Sequence, residues 1–224
     1  MAITTEQLVK RYPVLYHMAE QGSWPGIRRR GLLSPIALCK TFDSPKAVRA
    51  QILDQPRQRS MRLGSSKDGA TVRDQKVLNG SKLGGSLTDC TVEEWLHMLN
   101  SRVFFWLNRD RLFTLMNGRE YRDREHVVLT LRTEPLVRNY ADKVTLSAMN
   151  TGSTSPIAHP RGLSSFSRLS QYPYEKRRTL NDYSAVVELV VNDGVPDAAK
   201  YIIRVERARI VGDEIKCLEV LYKG

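Results

Sequence analysis

Short apolar runs, bounded by glycine, proline and polar turns, mark the strands of this chain. Val14-Leu-Tyr-His-Met18, Arg102-Val-Phe-Phe-Trp-Leu107, Val127-Val-Leu-Thr-Leu131, Val144 to Met149 and Ala185-Val-Val-Glu-Leu-Val-Val191 have the right length and composition. A strand or strand pair from Tyr201 to Val211 and a last strand from Glu214 to Tyr222 follow. Helices announce themselves through their ends. Ser23 suits the N-cap of a short helix with Pro25 in its first turn and Gly31 at its C-terminal cap, and a second helix is predicted from Pro45 to Leu53. Thr91-Val-Glu-Glu94 is a capping box ahead of Trp95, Leu96, Met98 and Leu99, and Arg109 to Met116 also reads as helix. With helices concentrated in the N-terminal half and strands late, the pattern predicts an α+β fold with a mixed or antiparallel sheet. Residues 55 to 90 are rich in Gly, Ser, Lys and Arg without sustained periodicity. They predict a long basic loop region, and long loops inside compact domains are often binding elements.

One position resists the strand pattern. Glu188 stands in the middle of the run from Ala185 to Val191, on the same face as Val186 and Val190. An unpaired carboxylate in apolar surroundings is costly, and chains tolerate it where a carboxylate must meet a substrate in a dry cleft. A solvated sheet face is the competing reading.

Composition narrows the partners. At 224 residues the chain can bury a sizeable core, and one domain over 1–224 fits better than two. Its 35 Lys and Arg against 24 Asp and Glu leave a net charge of +11. That balance attracts polyanions, so nucleic acid, DNA or RNA, is the leading partner class, with solubility through charge as the alternative. Cys39, Cys90 and Cys217 are far apart and lack zinc-ligand spacing, which fits reduced intracellular thiols. Met1 to Lys10 lack the apolar core of a signal peptide and no stretch has the length of a membrane span. A cytoplasmic protein with no membrane partner is therefore expected.

Several familiar chemistries are missing from the motifs. There is no GxGxxG after a strand, no GxxxxGK[ST], no GxSxG and no HExxH. His17, His97, His126 and His159 have no metal-ligand spacing, and no metal is expected. His97 reads as a partly exposed helix residue. His17, on a strand just before a helix start, is either a core histidine bonded to a backbone carbonyl or part of a site. Arg28, Arg29 and Arg30 suit a helix C-terminus or a phosphate equally. Arg73, in Val72-Arg-Asp-Gln-Lys76, suits bidentate pairing with a phosphate or a place in a solvated loop. Asp74 and Gln75 are weaker candidates for reading a base or orienting a nucleophile. Arg109, at a helix start, can reach a phosphate. The loop Asn150 to Ser155 reads as a turn, with a phosphate nest as the alternative. Trp106 fits a core position or a stacking platform.

Tyr16-His17 followed by Ile27-Arg-Arg-Arg-Gly-Leu-Leu-Ser34, then Phe104-Phe-Trp-Leu107 with Arg109, then Val187-Glu-Leu-Val-Val191 with Val195-Pro196, resembles the ADP-ribosyltransferase fold. Within that fold the blocks are most similar to the DarT-type DNA-modifying branch and to an uncharacterised bacterial family related to it. The resemblance implies a split sheet, NAD as substrate, release of nicotinamide, and transfer of ADP-ribose to nucleic acid, with DNA favoured. By the same resemblance Glu188 is catalytic, His17 contacts the nicotinamide ribose, and Phe105 and Trp106 line the nicotinamide pocket; Arg73 is expected to join them as a catalytic residue, and Tyr16, Arg109 and Gln75 to help bind NAD. The tyrosine of the family's second motif and its Ser-Thr-Ser motif are not visible, and Trp106 occupies part of that strand. A toxin or phage-defence setting is implied, with a reversing hydrolase or antitoxin as a partner that no residue here displays. Transfer to protein, NAD glycohydrolysis and a nucleic-acid-binding module without turnover are the alternatives. The residues suit the leading chemistry on their own terms. Breaking the glycosidic bond of NAD generates positive charge on the ribose, and a carboxylate bound to a ribose hydroxyl strengthens its contact as that charge develops.

Overall fold

The computed structural model describes residues 1–66 and 68–224. Lys67, within the segment Gly64 to Gly69 read above as loop, lies outside the described residues. The chain opens with α1 (Thr5–Arg11), β1 (Val14–Glu20), α2 (Trp24–Arg30), β2 (Leu32–Leu33), α3 (Pro35–Thr41) and α4 (Lys46–Leu53). It continues through β3 (Met61–Gly64), β4 (Gly69–Val72), α5 (Gly80–Gly84), α6 (Val92–Asn100), β5 (Arg102–Trp106) and α7 (Arg109–Met116). The remainder comprises β6 (His126–Arg132), α8 (Thr133–Asn139), β7 (Val144–Ser147), α9 (Tyr174–Leu180), β8 (Glu188–Asn192), β9 (Gly194–Val195), β10 (Ile202–Val211) and β11 (Glu214–Lys223). This is an α+β protein. No helix among the described residues is long and apolar enough to cross a membrane.

Seven strands form one sheet in the order β11-β10-β6-β1-β5-β8-β7, and every pairing between its neighbours is antiparallel. Burial on both faces explains the central strands. Along β6, Val127, Leu129 and Leu131 enter the main core, while Val128 joins Met18, Leu112, Met116 and Ala208 on the other side. That two-sided burial accounts for a run of apolar residues where a half-exposed strand would alternate. The sheet changes character between β1 and β5. β1 pairs with β6 over Val14 to Glu20, and β5 with β8 over Arg102 to Trp106, yet among the described residues β1 meets β5 at one register position, Tyr16 opposite Trp106. Four strands on one side and three on the other thus diverge from a single point of contact.

Capping chemistry holds at some helix ends and fails at others: Ser23 stands at the N-cap of α2 as expected, but its hydroxyl makes no capping hydrogen bond. Thr91 and Glu94 exchange side-chain and backbone hydrogen bonds at the start of α6, as the spacing predicts. Gly31 caps α2, its N–H donating to the Ile27 carbonyl, and turns the chain into β2 with φ of 77°. A Cβ there would sit 2.3 Å from the Val195 and Pro196 carbonyl oxygens, so β9 closes on β2 only over a glycine.

Three expectations are corrected. Residues 55 to 90 are more than a loop: β3 and β4 form a hairpin, with Leu63 and Val72 buried against Cys39 and Ile52, and α5 follows. The ladder of β8 begins at Glu188 rather than Ala185: the Ala185 N–H donates to the Asp182 carbonyl and its carbonyl accepts the Tyr172 hydroxyl, so its backbone groups are taken before a neighbouring strand can pair with them. α1, α3, α8 and α9 were not apparent from periodicity, and the last two lie in the C-terminal half.

Candidate functional site

A cavity of about 290 Å³ opens where β1 and β5 diverge, and Glu188 is part of its wall. The carboxylate is 3 % exposed. Thr151, fully buried in the loop after β7, donates its hydroxyl to Glu188 Oε2 at 2.7 Å and its backbone N–H to both carboxylate oxygens at 3.3 Å. Arg161 Nη1 in turn donates to the Thr151 carbonyl at 3.1 Å and braces that loop from behind. Burial pushes the Glu188 carboxyl up to about 7, against the pull of the Thr151 hydrogen bonds and of the Arg161 and Arg111 charges. Near neutrality the group is therefore divided between acid and anion, the condition in which a carboxyl can exchange protons with a substrate.

Strand register sets what faces Glu188. Trp106 stands directly opposite it, Tyr16 opposite Trp106, and Ser147 opposite Glu188 on the far side. Phe104 and Trp106 line the cavity, whereas Phe105 between them is 1 % exposed within the main core. The expectation that Phe105 lines the pocket is corrected by strand alternation, which turns neighbouring side chains to opposite faces.

His17 lines the cavity from β1. Its Nδ1 lies 2.9 Å from the Phe104 carbonyl oxygen. The imidazole thus occupies a main-chain acceptor of β5 on the side where the strand ladder stops. Burial lowers its pKa to about 4 despite that carbonyl, and Arg73 adds to the lowering. The ring is neutral at pH near 7, and with Nδ1–H donating to the carbonyl, Nε2 remains as an acceptor. Both readings of His17 hold at once: it is a carbonyl-bonded histidine, and it is in the cavity wall.

The segment after β4 supplies the cationic wall. Arg73 donates from Nε to Glu20 Oε1 at 3.4 Å and from Nη1 to the Met18 carbonyl at 3.3 Å, and its guanidinium carbon lies 4.9 Å from the centre of the Tyr121 ring. Its Nη2 is buried without a hydrogen-bond partner among the described residues. This is not a solvated loop arginine. Asp74 accepts the Tyr121 hydroxyl at 2.7 Å and pairs with Arg124 at 3.4 Å. Against the cost of burial, Tyr121 and Arg73 hold its carboxyl below the usual range. Gln75 lines the cavity too, but its Oε1 accepts from the Arg57 N–H at 3.3 Å, so its amide positions Arg57.

His17, Arg73, Asp74, Gln75, Trp106 and Glu188 therefore come together in one cavity. Tyr16, Phe105 and Arg109 are not among its lining residues. Tyr16 packs with Leu112 and Met116, on the face opposite to His17. Arg109 pairs with Glu206 at 3.6 Å, which occupies the charge expected to meet a phosphate. Arg29 and Arg30 both pair with Asp68, and Arg30 also donates to the Gly69 carbonyl. Thr151 and Arg161 escaped the reading of the sequence. Thr151 lies in the polar loop read as a turn, and nothing local announces that its hydroxyl reaches 37 residues along the chain to Glu188.

Among the described residues there is no group of three or more His, Cys, Asp or Glu side chains placed to hold a metal ion. No curated protein matches the chain. A family model does, over residues 13–202, a span that runs from the residue before β1 to the first residue of β10 and includes every cavity residue discussed above. The chain belongs to that family, DUF7002, a family of unknown function.

Proposed function

We propose that this protein is an NAD-dependent ADP-ribosyltransferase that modifies nucleic acid, with DNA favoured, and that Glu188 is its catalytic carboxylate. The observation that carries the reading is a buried carboxylate with a pKa near 7, held by Thr151 in the wall of a cavity that also contains a neutral histidine and a partly unpartnered arginine.

The donor set fits NAD chemically. Arg73 Nη2 and Ser23 Oγ are buried, lack partners among the described residues, and belong to side chains in the cavity wall, as an anionic diphosphate and ribose hydroxyls require. Trp106 and Phe104 offer flat apolar surface for a nicotinamide ring. NAD supplies a glycosidic bond whose cleavage places positive charge on the ribose. Glu188, as the anion, accepts a hydrogen bond from a ribose hydroxyl and opposes that charge in a cavity of low dielectric. The acceptor group loses a proton when it replaces nicotinamide, and a carboxylate with pKa near 7 is matched to take it. His17, neutral and fixed through Nδ1, offers Nε2 to a hydroxyl without competing for that proton.

Purified wild type and Glu188→Gln, incubated with labelled NAD and separate pools of single-stranded DNA, duplex DNA, RNA and cell protein, test the proposal. Label retained in a nucleic-acid pool with wild type alone is expected. Free ADP-ribose without labelled macromolecule assigns glycohydrolysis instead. Nucleic-acid binding with no nicotinamide release from any pool overturns the enzyme reading.

A further inference from the structure

A second cavity, of about 310 Å³, lies on the other side of the Asn150 to Ser155 loop, and Asn150 lines both. Arg111, Arg161, Ser153, Ser155, Ser184 and His159 are in its wall. No carboxylate is among its described lining residues, although two guanidinium groups are. Arg161 is 2 % exposed, yet its Nη2 has no hydrogen-bond partner among the described residues, while Nε and Nη1 are spent on the His159 and Thr151 carbonyls at 3.1 Å. Arg111 donates from Nη2 to Ser184 Oγ at 2.8 Å and stacks over Tyr183 with its carbon 4.9 Å from the ring centre, leaving a buried Nε equally unpartnered. Glu188 lies near enough for its charge to be felt by both, but its oxygens are bonded to Thr151 and reach neither guanidinium group, and buried N–H bonds left unused are costly unless an anion completes them. Planar donor edges with hydroxyls around them match a phosphate, which has more acceptor oxygens than a carboxylate.

We propose that this second cavity is a phosphate-binding subsite, and that it takes a backbone phosphate of the nucleic-acid acceptor; the second half rests on the transferase reading above. The subsite is separate from the cavity that holds Arg73 and Ser23, and the loop between them carries Thr151. Thr151 touches Glu188 through its side chain and Arg161 through its carbonyl. Asn150, which lines both cavities, marks where the nucleotide attached to a phosphate on Arg161 would pass toward Glu188. The arrangement selects a strand with a free or flexible base, since a paired base has to leave its stack to reach a cavity wall.

Calorimetric titration of wild type, Arg111→Gln and Arg161→Gln with a DNA trinucleotide, its counterpart with neutral methylphosphonate linkages, inorganic phosphate and NAD tests this. The trinucleotide with phosphodiester linkages is expected to bind at least about tenfold more tightly than the neutral one, and each arginine variant to lose about that factor. Arg161 braces the Thr151 loop, so circular dichroism accompanies its variant, and the less buried Arg111→Gln carries the test where Arg161→Gln fails to fold. Equal affinity for the two trinucleotides, or wild-type affinity in Arg111→Gln, overturns the subsite. Loss of NAD binding instead of trinucleotide binding in Arg111→Gln assigns the cavity to the dinucleotide and overturns the acceptor role. Arginine-dependent phosphate binding in a protein that never releases nicotinamide leaves the subsite standing and removes the transferase reading alone.

Discussion

Glu188 is a neutral acid well below its folded pKa of about 7 and a buried anion well above it. The proposed transferase predicts nicotinamide release that climbs as pH rises through about 7 and vanishes in Glu188→Gln, measured by a pH–rate profile of both proteins. Stability runs in the opposite sense. A carboxyl whose folded pKa lies above its unfolded value of 4.5 stabilises the fold fully below that unfolded value, and the contribution is lost as pH rises through about 7. Glu188→Gln, which keeps an acceptor for Thr151, should therefore match wild type near pH 5 and exceed it above pH 8 by roughly 2 kcal/mol, read from denaturant midpoints. Thr151→Val removes the hydroxyl that favours the anion. Its acid limb should move upward by about one pH unit with the alkaline plateau kept, since one hydrogen bond to a charged group is worth about that much. A plateau that falls instead would mean that Thr151 positions the loop more than it tunes the carboxylate. How much of this was readable beforehand differs residue by residue. Glu188 stood out because a charge interrupts a β-branched run. Phe105 and Trp106 were both assigned to the pocket although adjacent strand residues face opposite ways, so alternation alone could have separated them.

Elements with explicit end signals were legible, and elements made by tertiary contact were not. The capping box at Thr91 and Glu94 opens α6 where the spacing places it. Thr4 and Gln7 form the same device at α1, but Leu8 is the one buried residue of that helix, too little apolar surface to mark it in the sequence. The β3–β4 hairpin carries only four residues per strand, and its Leu63 and Val72 gain their apolar surroundings from α3 and α4. No window inside 55 to 90 holds that information. Gly31 is the clearest test at this scale, because its positive φ and the backbone oxygens beside it forbid a side chain. Gly31→Ala should cost about 2–4 kcal/mol in equilibrium unfolding, by forcing β9 away from β2 as well as by straining the turn. A loss under about 1 kcal/mol would show that this contact yields easily.

Over the whole molecule the net charge of +11 governs encounter rather than chemistry. If two phosphates are neutralised on binding, affinity for single-stranded DNA should fall about sevenfold for each fourfold rise in salt, measured by fluorescence anisotropy. A flat response would remove nucleic acid as the partner. The divergence of the sheet has a mechanical meaning. Since β1 and β5 share one register position, the spacing between the four-stranded and three-stranded halves rests on side chains such as His17, which reaches across to the Phe104 carbonyl. A molecule lodged in the gap would serve as mortar between two blocks, so its arrival should be felt as a slowing of amide exchange on both strands at once, far beyond the atoms it touches.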